Sequence, residues 1–190
     1  MISIRVAHPD DADALAAAHI EGWRVGYRGL MPDEFLDAPE FAAQRLERWR
    51  LWTWADWAPG SAMFAGVDGD RVVGFGHCGA ARTAPECDQA SPSGTAFSST
   101  TGEVYAFYVH PDAWGSGVAA AIMQRCRQFL HEHAFADAVL WVLRDNPRAR
   151  AFYEKTGWTA TGRTTEFTGP STAAALPSPI TEVEYRTIVR

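Results

Sequence analysis

The sequence has little cysteine. Cys78, Cys87 and Cys126 are odd in number and irregular in spacing, which excludes a disulfide framework. There is no Cys-x-x-Cys and no Cys/His pair at zinc spacing. His131 and His133 stand two apart, so on a helix they face different ways and cannot easily share a metal. No metal is expected. Long apolar runs are also missing: none approaches the roughly 20 residues that cross a bilayer, so no membrane partner is expected. A basic stripe is absent too. The net charge is -6, and a diffuse acidic excess argues against a nucleic-acid partner. It mildly favours a cationic substrate. The charged start, with Arg5, His8, Asp10, Asp11 and Asp13, is not that of a signal peptide. The expectation is a soluble cytoplasmic protein.

What is present suits one domain spanning 1–190. The balance of 47% hydrophobic and 21% charged residues is that of a globular chain with a real core. Residues 2–6 alternate and are β-rich, which predicts a strand. Asp10 could cap the next helix, predicted over 11–26 from the spacing of Leu15, Ala18, His19, Gly22, Trp23 and Tyr27. A second helix over 39–52 runs into a tryptophan-rich stretch that Pro59-Gly60 breaks. Trp49, Trp52, Trp54 and Trp57 do not fit one helical stripe; core is the better place for at least two. The others could line a pocket or an oligomer contact, such as that of a homodimer.

Apolar runs at 62–67 and 71–78 flank Asp68-Gly69-Asp70, a hairpin signal. Residues 80–102 show no periodicity and read as a long loop. Strands follow at 103–109 and 137–143, with a helix over 117–133 between them. Asp145 or Asn146 caps a short helix that has Pro147 near its first turn, and Gly157 stops it. Strands at 158–167 and 181–189 close the chain, joined by a Pro/Ser/Ala-rich link at 168–180. This order mixes hairpins with helical crossovers. It predicts an α/β fold: a mixed, mostly antiparallel sheet with helices on both faces.

The strongest local signal is Val109-His-Pro-Asp-Ala-Trp-Gly-Ser-Gly-Val-Ala119: a strand, a glycine-bearing turn and a helix start. The first N–H groups of a helix have no internal partner and carry partial positive charge, which suits a pyrophosphate. Glycine at 115 and 117 lets phosphate oxygens approach the backbone. The plain alternative is an ordinary β-to-α turn. No Lys-Ser or Lys-Thr follows, so it is not a Walker loop. It is also a poor dinucleotide fingerprint, since no βαβ unit with a distant ribose acid is evident.

Trp114-Gly-Ser-Gly117-Val-Ala119 resembles the acetyl-CoA motif (Gln/Arg)-x-x-Gly-x-(Gly/Ala) of the GNAT superfamily of N-acetyltransferases. Trp114 stands where that pattern has Gln or Arg, which removes one side-chain contact. A second segment, Asn146-Pro-Arg-Ala149-Arg-Ala-Phe152-Tyr153-Glu-Lys-Thr-Gly157-Trp158, is similar to the family's Asn-x-x-Ala-x-x-Phe-Tyr-x-x-x-Gly-Phe. The opening Ile4-Arg5-Val6-Ala7 and Trp23-Arg-Val-Gly-Tyr27-Arg-Gly are family-like as well. The resemblance implies that the strands at 103–109 and 137–143 splay, with the pantetheine arm of acetyl-CoA between them. It assigns donor binding to Phe107, Tyr108, Val109, Trp114, Gly115, Ser116, Gly117, Val118, Ala119, Asn146 and Tyr153. The main chain of Phe107 to Val109 would pair with the pantetheine, and an N–H near Val109 would face the thioester oxygen.

Amine acylation needs a base for the ammonium, a donor for the oxyanion and a donor for the departing thiolate. Glu103, at the head of its strand, matches the place of the family's common base; the alternative is a solvated strand-end glutamate. By parity it shares a face with Tyr105 and Phe107, unless a bulge intervenes. Tyr153 is implied as general acid toward the sulfur; the alternative is a core aromatic. Asn146 binds the pantetheine, caps the helix, or does both. Cys126 reads as a small core hydrophobe. Trp23 and Tyr27, one helical turn apart, and Tyr105 are the acceptor-binding candidates, with core packing as the alternative. The implied activity is acetyl transfer to a primary amine of a small molecule or peptide in a direct ternary complex. The rival is a catalytically silent acetyl-CoA-binding sensor or subunit. The acceptor itself has no signature here, because fold does not choose it.

Overall fold

The computed structural model describes residues 1–51, 60–82, 97–168, 176 and 179–189. Strand β1 (Ile2–Val6) leads through a 3-10 turn, Pro9–Asp11, into helix α1 (Ala12–Gly26). A single turn α2 (Asp33–Leu36) and helix α3 (Pro39–Leu51) follow. Then come β2 (Ala62–Asp68), β3 (Arg71–Arg82) and β4 (Phe97–Val109), helix α4 (Val118–Glu132), β5 (Asp137–Leu143), helix α5 (Pro147–Lys155), β6 (Thr159–Phe167) and β7 (Ile180–Ile188). The sheet has seven strands in the order β1-β2-β3-β4-β5-β7-β6, and only β4 and β5 pair in parallel. This is the mixed, mostly antiparallel α/β sheet that the sequence predicts.

Two apolar layers flank the sheet. Leu15, Ala16, Ile20 and Trp23 of α1 pack with Phe41 and Trp49 of α3 over Met63, Ala65 and Phe75. On the opposite face Val118, Ile122, Met123, Cys126 and Leu130 of α4 pack over Phe64, Cys78 and Val104. Burying such side chains is worth about 1.5–3 kcal/mol each, which is what holds the helices to the sheet. Close approach of α4 requires a bare backbone at Gly76, where a Cβ would lie 2.7 Å from Cys126 Sγ. Cys126 is thus the small core residue the sequence suggests.

Three sequence expectations change. The cap before α1 is not Asp10, which is exposed. Pro9 starts a 3-10 turn, and Asp11 closes it by accepting the His8 N–H at 2.8 Å and both Arg5 nitrogens at 2.6 and 2.7 Å. The single turn α2 has no sequence period to reveal it. The loop at 80–102 shrinks from both ends: β3 runs on to Arg82 and β4 begins at Phe97, with Ala80 opposite Gly102 and Arg82 opposite Phe97. These segments carry small and polar residues, so no alternation announces them; the ladder satisfies their backbones. Residues 83–96, with Cys87, lie outside the described residues, as do Trp52, Trp54, Trp57 and most of the 168–180 link. Trp49 is in the core.

The feature that positions the site is a parting of strands. Parallel pairing of β4 with β5 spans Thr101–Val104 against Asp137–Leu140. β4 then continues to Val109 without that neighbour, while β5 stays paired with β7 out to Leu143.

Candidate active site

A cavity of about 320 Å³ fills the gap between β4 and β5. Just past β4, His110 N–H donates to Val73 O of β3 at 2.7 Å. In an antiparallel ladder the backbone groups of successive residues alternate in direction. The N–H and C=O groups of Val109 and Phe107 therefore turn away from β3, toward the gap. The Val109 carbonyl is already taken by the Trp114 indole N–H at 2.9 Å.

A bulge decides which side chains enter. His77 pairs with Ala106 and the next residue, Cys78, with Val104, so Tyr105 has no partner across the ladder. Beyond it the parity flips. Val104, Phe107 and Val109 join the α4 layer, while Ala106 and Tyr108 join the α1 layer. The expectation that Glu103 shares a face with both Tyr105 and Phe107 is corrected. Arg82 ion-pairs with Glu103 and lies 5.1 Å over the Tyr105 ring, which puts those two together. Phe107 faces the other way, stacked on Phe152 at 5.6 Å.

Glu103 lines the cavity but is only 2% exposed. Its carboxylate accepts the Arg82 backbone N–H at 2.9 Å, Nε–H at 3.2 Å and an Nη2–H. It is a fixed buried ion pair rather than a solvated strand end. Tyr105 donates its hydroxyl to the Ala80 carbonyl. His77, packed on Tyr105, is pushed down to a pKa of about 3 by burial and by Arg82, so it is neutral at pH 7.

Tyr153 is buried between Phe107, Trp158 and Tyr185 and also lines the cavity. Its hydroxyl makes no hydrogen bond to a described residue. Burial raises its pKa, with Tyr108 and Glu182 adding to the effect, so the phenol keeps its proton. Tyr27 is raised by burial and by the neighbouring Tyr108 phenol. Glu182 of β7 completes this group of three phenols and a carboxylate on the cavity wall. Tyr108 stacks on His19 at 4.2 Å, and the Trp49 indole N–H donates to His19 Nδ1 at 3.2 Å. Trp23, 1% exposed, packs beneath and meets Tyr27 edge-on at 5.0 Å. Both belong to the α1 layer and to the cavity wall at once.

The turn before α4 carries Gly115 at φ 81° and Gly117 at φ 92°, a region that favours glycine. Ser116 Oγ donates to Ala113 O at 2.7 Å and accepts the Val118 N–H at 3.3 Å. This leaves the N–H groups of Gly117, Ala119 and Ala120 without intrahelical partners. No atom outside the neighbouring residues lies within 4 Å of a Cβ built at Gly115, so the cradle is open. Asn146 is buried and its Oδ1 accepts the Ala149 N–H at 3.0 Å, capping α5.

Of the predicted donor-binding residues, Phe107, Tyr108, Val109 and Trp114 line the cavity, as do Gly115, Ala119, Asn146 and Tyr153. Ser116 and Gly117 lie on the exposed turn outside it, and the Val118 side chain is fully buried in the core. The acceptor candidates Trp23, Tyr27 and Tyr105 line the same cavity. Sequence reasoning missed Arg82, His77, Arg148 and Glu182, which also line it. Glu182 had a signal: with Glu184 it alternates inside Ile180–Ile188, where a buried acid needs a reason.

The profile of the Acetyltransferase (GNAT) family matches residues 27–158. The chain is 28% identical over 171 residues to a probable N-acetyltransferase of Mycobacterium tuberculosis, covering 86% of this chain and 83% of that one. It is 24% identical to the uncharacterised N-acetyltransferase YuaI of Bacillus subtilis over 77% of this chain and 75% of its relative. In fold it is similar to the PaiA N-acetyltransferase of Thermoplasma acidophilum in complex with coenzyme A, with a TM-score of 0.70 at 12% identity over 99% of both chains. It is also similar to yncA of Salmonella typhimurium, a putative acetyltransferase with its cofactor acetyl-CoA, with a TM-score of 0.60 at 15% identity over 100% of this chain and 95% of the other. With strand parting, glycine turn and profile in agreement, the chain belongs to the acetyltransferase (GNAT) family.

Proposed function

We propose that the protein moves an acetyl group from acetyl-CoA to a primary amine of a small molecule or peptide, in a direct ternary complex. The observation that carries this reading is the parting of β4 from β5 beyond Val104 and Leu140. It makes one cavity that residues from both faces of the sheet reach. The chemistry of the walls fits the donor: left-handed glycines and unpaired N–H groups at one end, free strand edge along the middle. Two fold neighbours solved with coenzyme A or acetyl-CoA support it.

When bound, acetyl-CoA supplies a thioester carbonyl open to attack and a thiolate leaving group. The outward N–H groups of Phe107 and Val109 are fixed donors for a developing oxyanion. Glu103 and Glu182 are the carboxylates that can accept the ammonium proton, directly or through water. Arg82 holds Glu103 in one orientation. Tyr153 offers its unpaired hydroxyl toward the sulfur. A thiol ordinarily titrates near 8.5 and a phenol near 10. With the Tyr153 pKa raised further, its contribution is a hydrogen bond to the thiolate more than full proton transfer. Among the described residues a covalent acyl-cysteine route finds no support: Cys78 and Cys126 are buried in the core, and neither lines the cavity.

The test is release of CoA from acetyl-CoA over a panel of primary amines, with products identified by mass spectrometry. Turnover with at least one amine is the expected result. Binding of acetyl-CoA with no release in any case would favour the silent sensor instead.

A further inference from the structure

We infer that Arg148, in the first turn of α5, is a pyrophosphate ligand of the donor and supplies the cation that the glycine turn lacks; the inference rests on the acetyl-CoA reading above. The turn Trp114-Gly-Ser-Gly-Val-Ala119 contains no cationic side chain. Backbone N–H groups alone would face the phosphates there. The Arg148 guanidinium lies over the Trp114 ring, well inside the ~6 Å range of a cation–π contact. Trp114 is itself pinned by its indole N–H to Val109 O at 2.9 Å. The guanidinium is therefore held at the turn, and Arg148 lines the cavity there with Gly115, Ala119 and Asn146.

Arg148 stands exposed at the cavity rim, in a different setting from most arginines of the chain. Arg5, Arg28, Arg50, Arg82, Arg163 and Arg186 each sit against a carboxylate. Arg148 forms no ion pair or hydrogen bond with a described residue, and partial burial lowers its pKa. It stands at the positive end of α5, where a cation is disfavoured. The first turns of α1, α2 and α3 carry acidic residues, whereas those of α4 and α5 carry none. Two helix N-termini and an unpaired guanidinium at one cavity mouth repel one another until an anion arrives. A pyrophosphate between them reverses every one of these interactions. The planar group can stack on Trp114 and still point its N–H edge at phosphate oxygens.

The experiment titrates three thioesters into wild type, Arg148→Gln and Arg148→Lys. Acetyl-CoA carries the pyrophosphate and the 3′-phosphate, acetyl-dephospho-CoA carries the pyrophosphate alone, and S-acetylpantetheine carries neither. Arg148→Gln should weaken the first two by about 10- to 100-fold, the usual worth of a charge-assisted hydrogen bond. It should leave S-acetylpantetheine unchanged, and Arg148→Lys should recover part of the loss. Ligand-free melting curves check that each variant is folded. Equal binding by wild type and Arg148→Gln overturns the assignment. So does a loss shared by all three thioesters, or one that disappears with acetyl-dephospho-CoA. Failure of wild type to bind acetyl-CoA would instead remove the donor reading itself.

Discussion

Replacing Tyr153 by Phe removes one oxygen and keeps the ring, so it separates packing from chemistry. The ring contacts with Phe107, Trp158 and Tyr185 survive, and the hydroxyl leaves no described partner unsatisfied. Folding should be unaffected. Single-turnover acetyl transfer at saturating substrates should fall by about 10², the low end of what a positioned proton donor contributes, because a high-pKa phenol hydrogen-bonds the thiolate more than it protonates it. Rates within twofold of wild type would make Tyr153 a packing residue. Glu103→Gln is a different kind of change. It leaves Arg82 buried without its carboxylate, a loss of about 3–5 kcal/mol for such pairs, so the melting temperature should drop together with activity. The catalytic part shows in the pH profile. The deficit should be largest at neutral pH and shrink at high pH, where the amine is already neutral. Glu182→Gln, measured beside it, is the control: should that variant alone show the pH-dependent deficit, Glu182 is the base and Glu103 a structural anion.

The turn into α4 is where sequence and structure agree most closely, and the reasons are local. Glycine at two positions of left-handed φ, a strand before and a helix after are all written in adjacent residues. The parity of β4 was readable only up to Tyr105. The bulge there is set by the ladder with β3, a partner more than twenty residues away, and no residue in β4 announces it. Arg82 and Glu103 likewise meet only because β3 and β4 extend through segments without apolar alternation. Asn146 could be read as a cap from its neighbours, and its Oδ1 does accept the Ala149 N–H. Arg148 has no signal in the sequence, because only the fold sets it over Trp114. Gly117→Val tests the turn as a unit. A valine at φ 92° costs roughly 1–2 kcal/mol in strain, and its Cβ meets Ile2 Cδ1 at 3.9 Å, an ordinary contact, so the strain acts by shifting the N–H groups of the turn. A moderate loss of ligand-free stability should accompany loss of the acetyl-CoA shift, which for wild type is about 2.7 kcal/mol at 100 times the dissociation constant. Normal acetyl-CoA binding by a folded Gly117→Val protein would place the phosphates elsewhere.

At the scale of the whole molecule, net charge and local charge point in opposite directions. The chain carries -6 overall, yet Arg45, Arg48, Arg82 and Arg148 outnumber Glu103 and Glu182 around the cavity. The acidic excess of the composition therefore does not extend to the cavity wall, whose arginines suit the anionic donor. The same cavity makes the fold acid-sensitive. Burial holds His77 near a pKa of about 3 and His19 well below its ordinary value, with Arg82 and Arg45 adding to the respective effects. In the unfolded chain both titrate near 6.5. A folded pKa below the unfolded one means that the unfolded state binds protons the native state refuses. Stability is then fully present above about pH 6.5 and declines as pH falls below it. Each ring contributes a slope of about 1.4 kcal/mol per pH unit until its folded pKa is reached. Asp11, lowered by Arg5, adds loss only below its ordinary value near 3.9. General charge repulsion runs the other way between pH 8 and 5, because acidification shrinks the negative excess. Urea unfolding at pH 8, 7, 6 and 5 separates the two effects. A plateau from pH 8 to 7 and a steepening fall from 6 to 5 is the outcome for two buried neutral imidazoles, whereas equal unfolding free energies at pH 8 and 5 would mean that neither ring is held neutral in the native state.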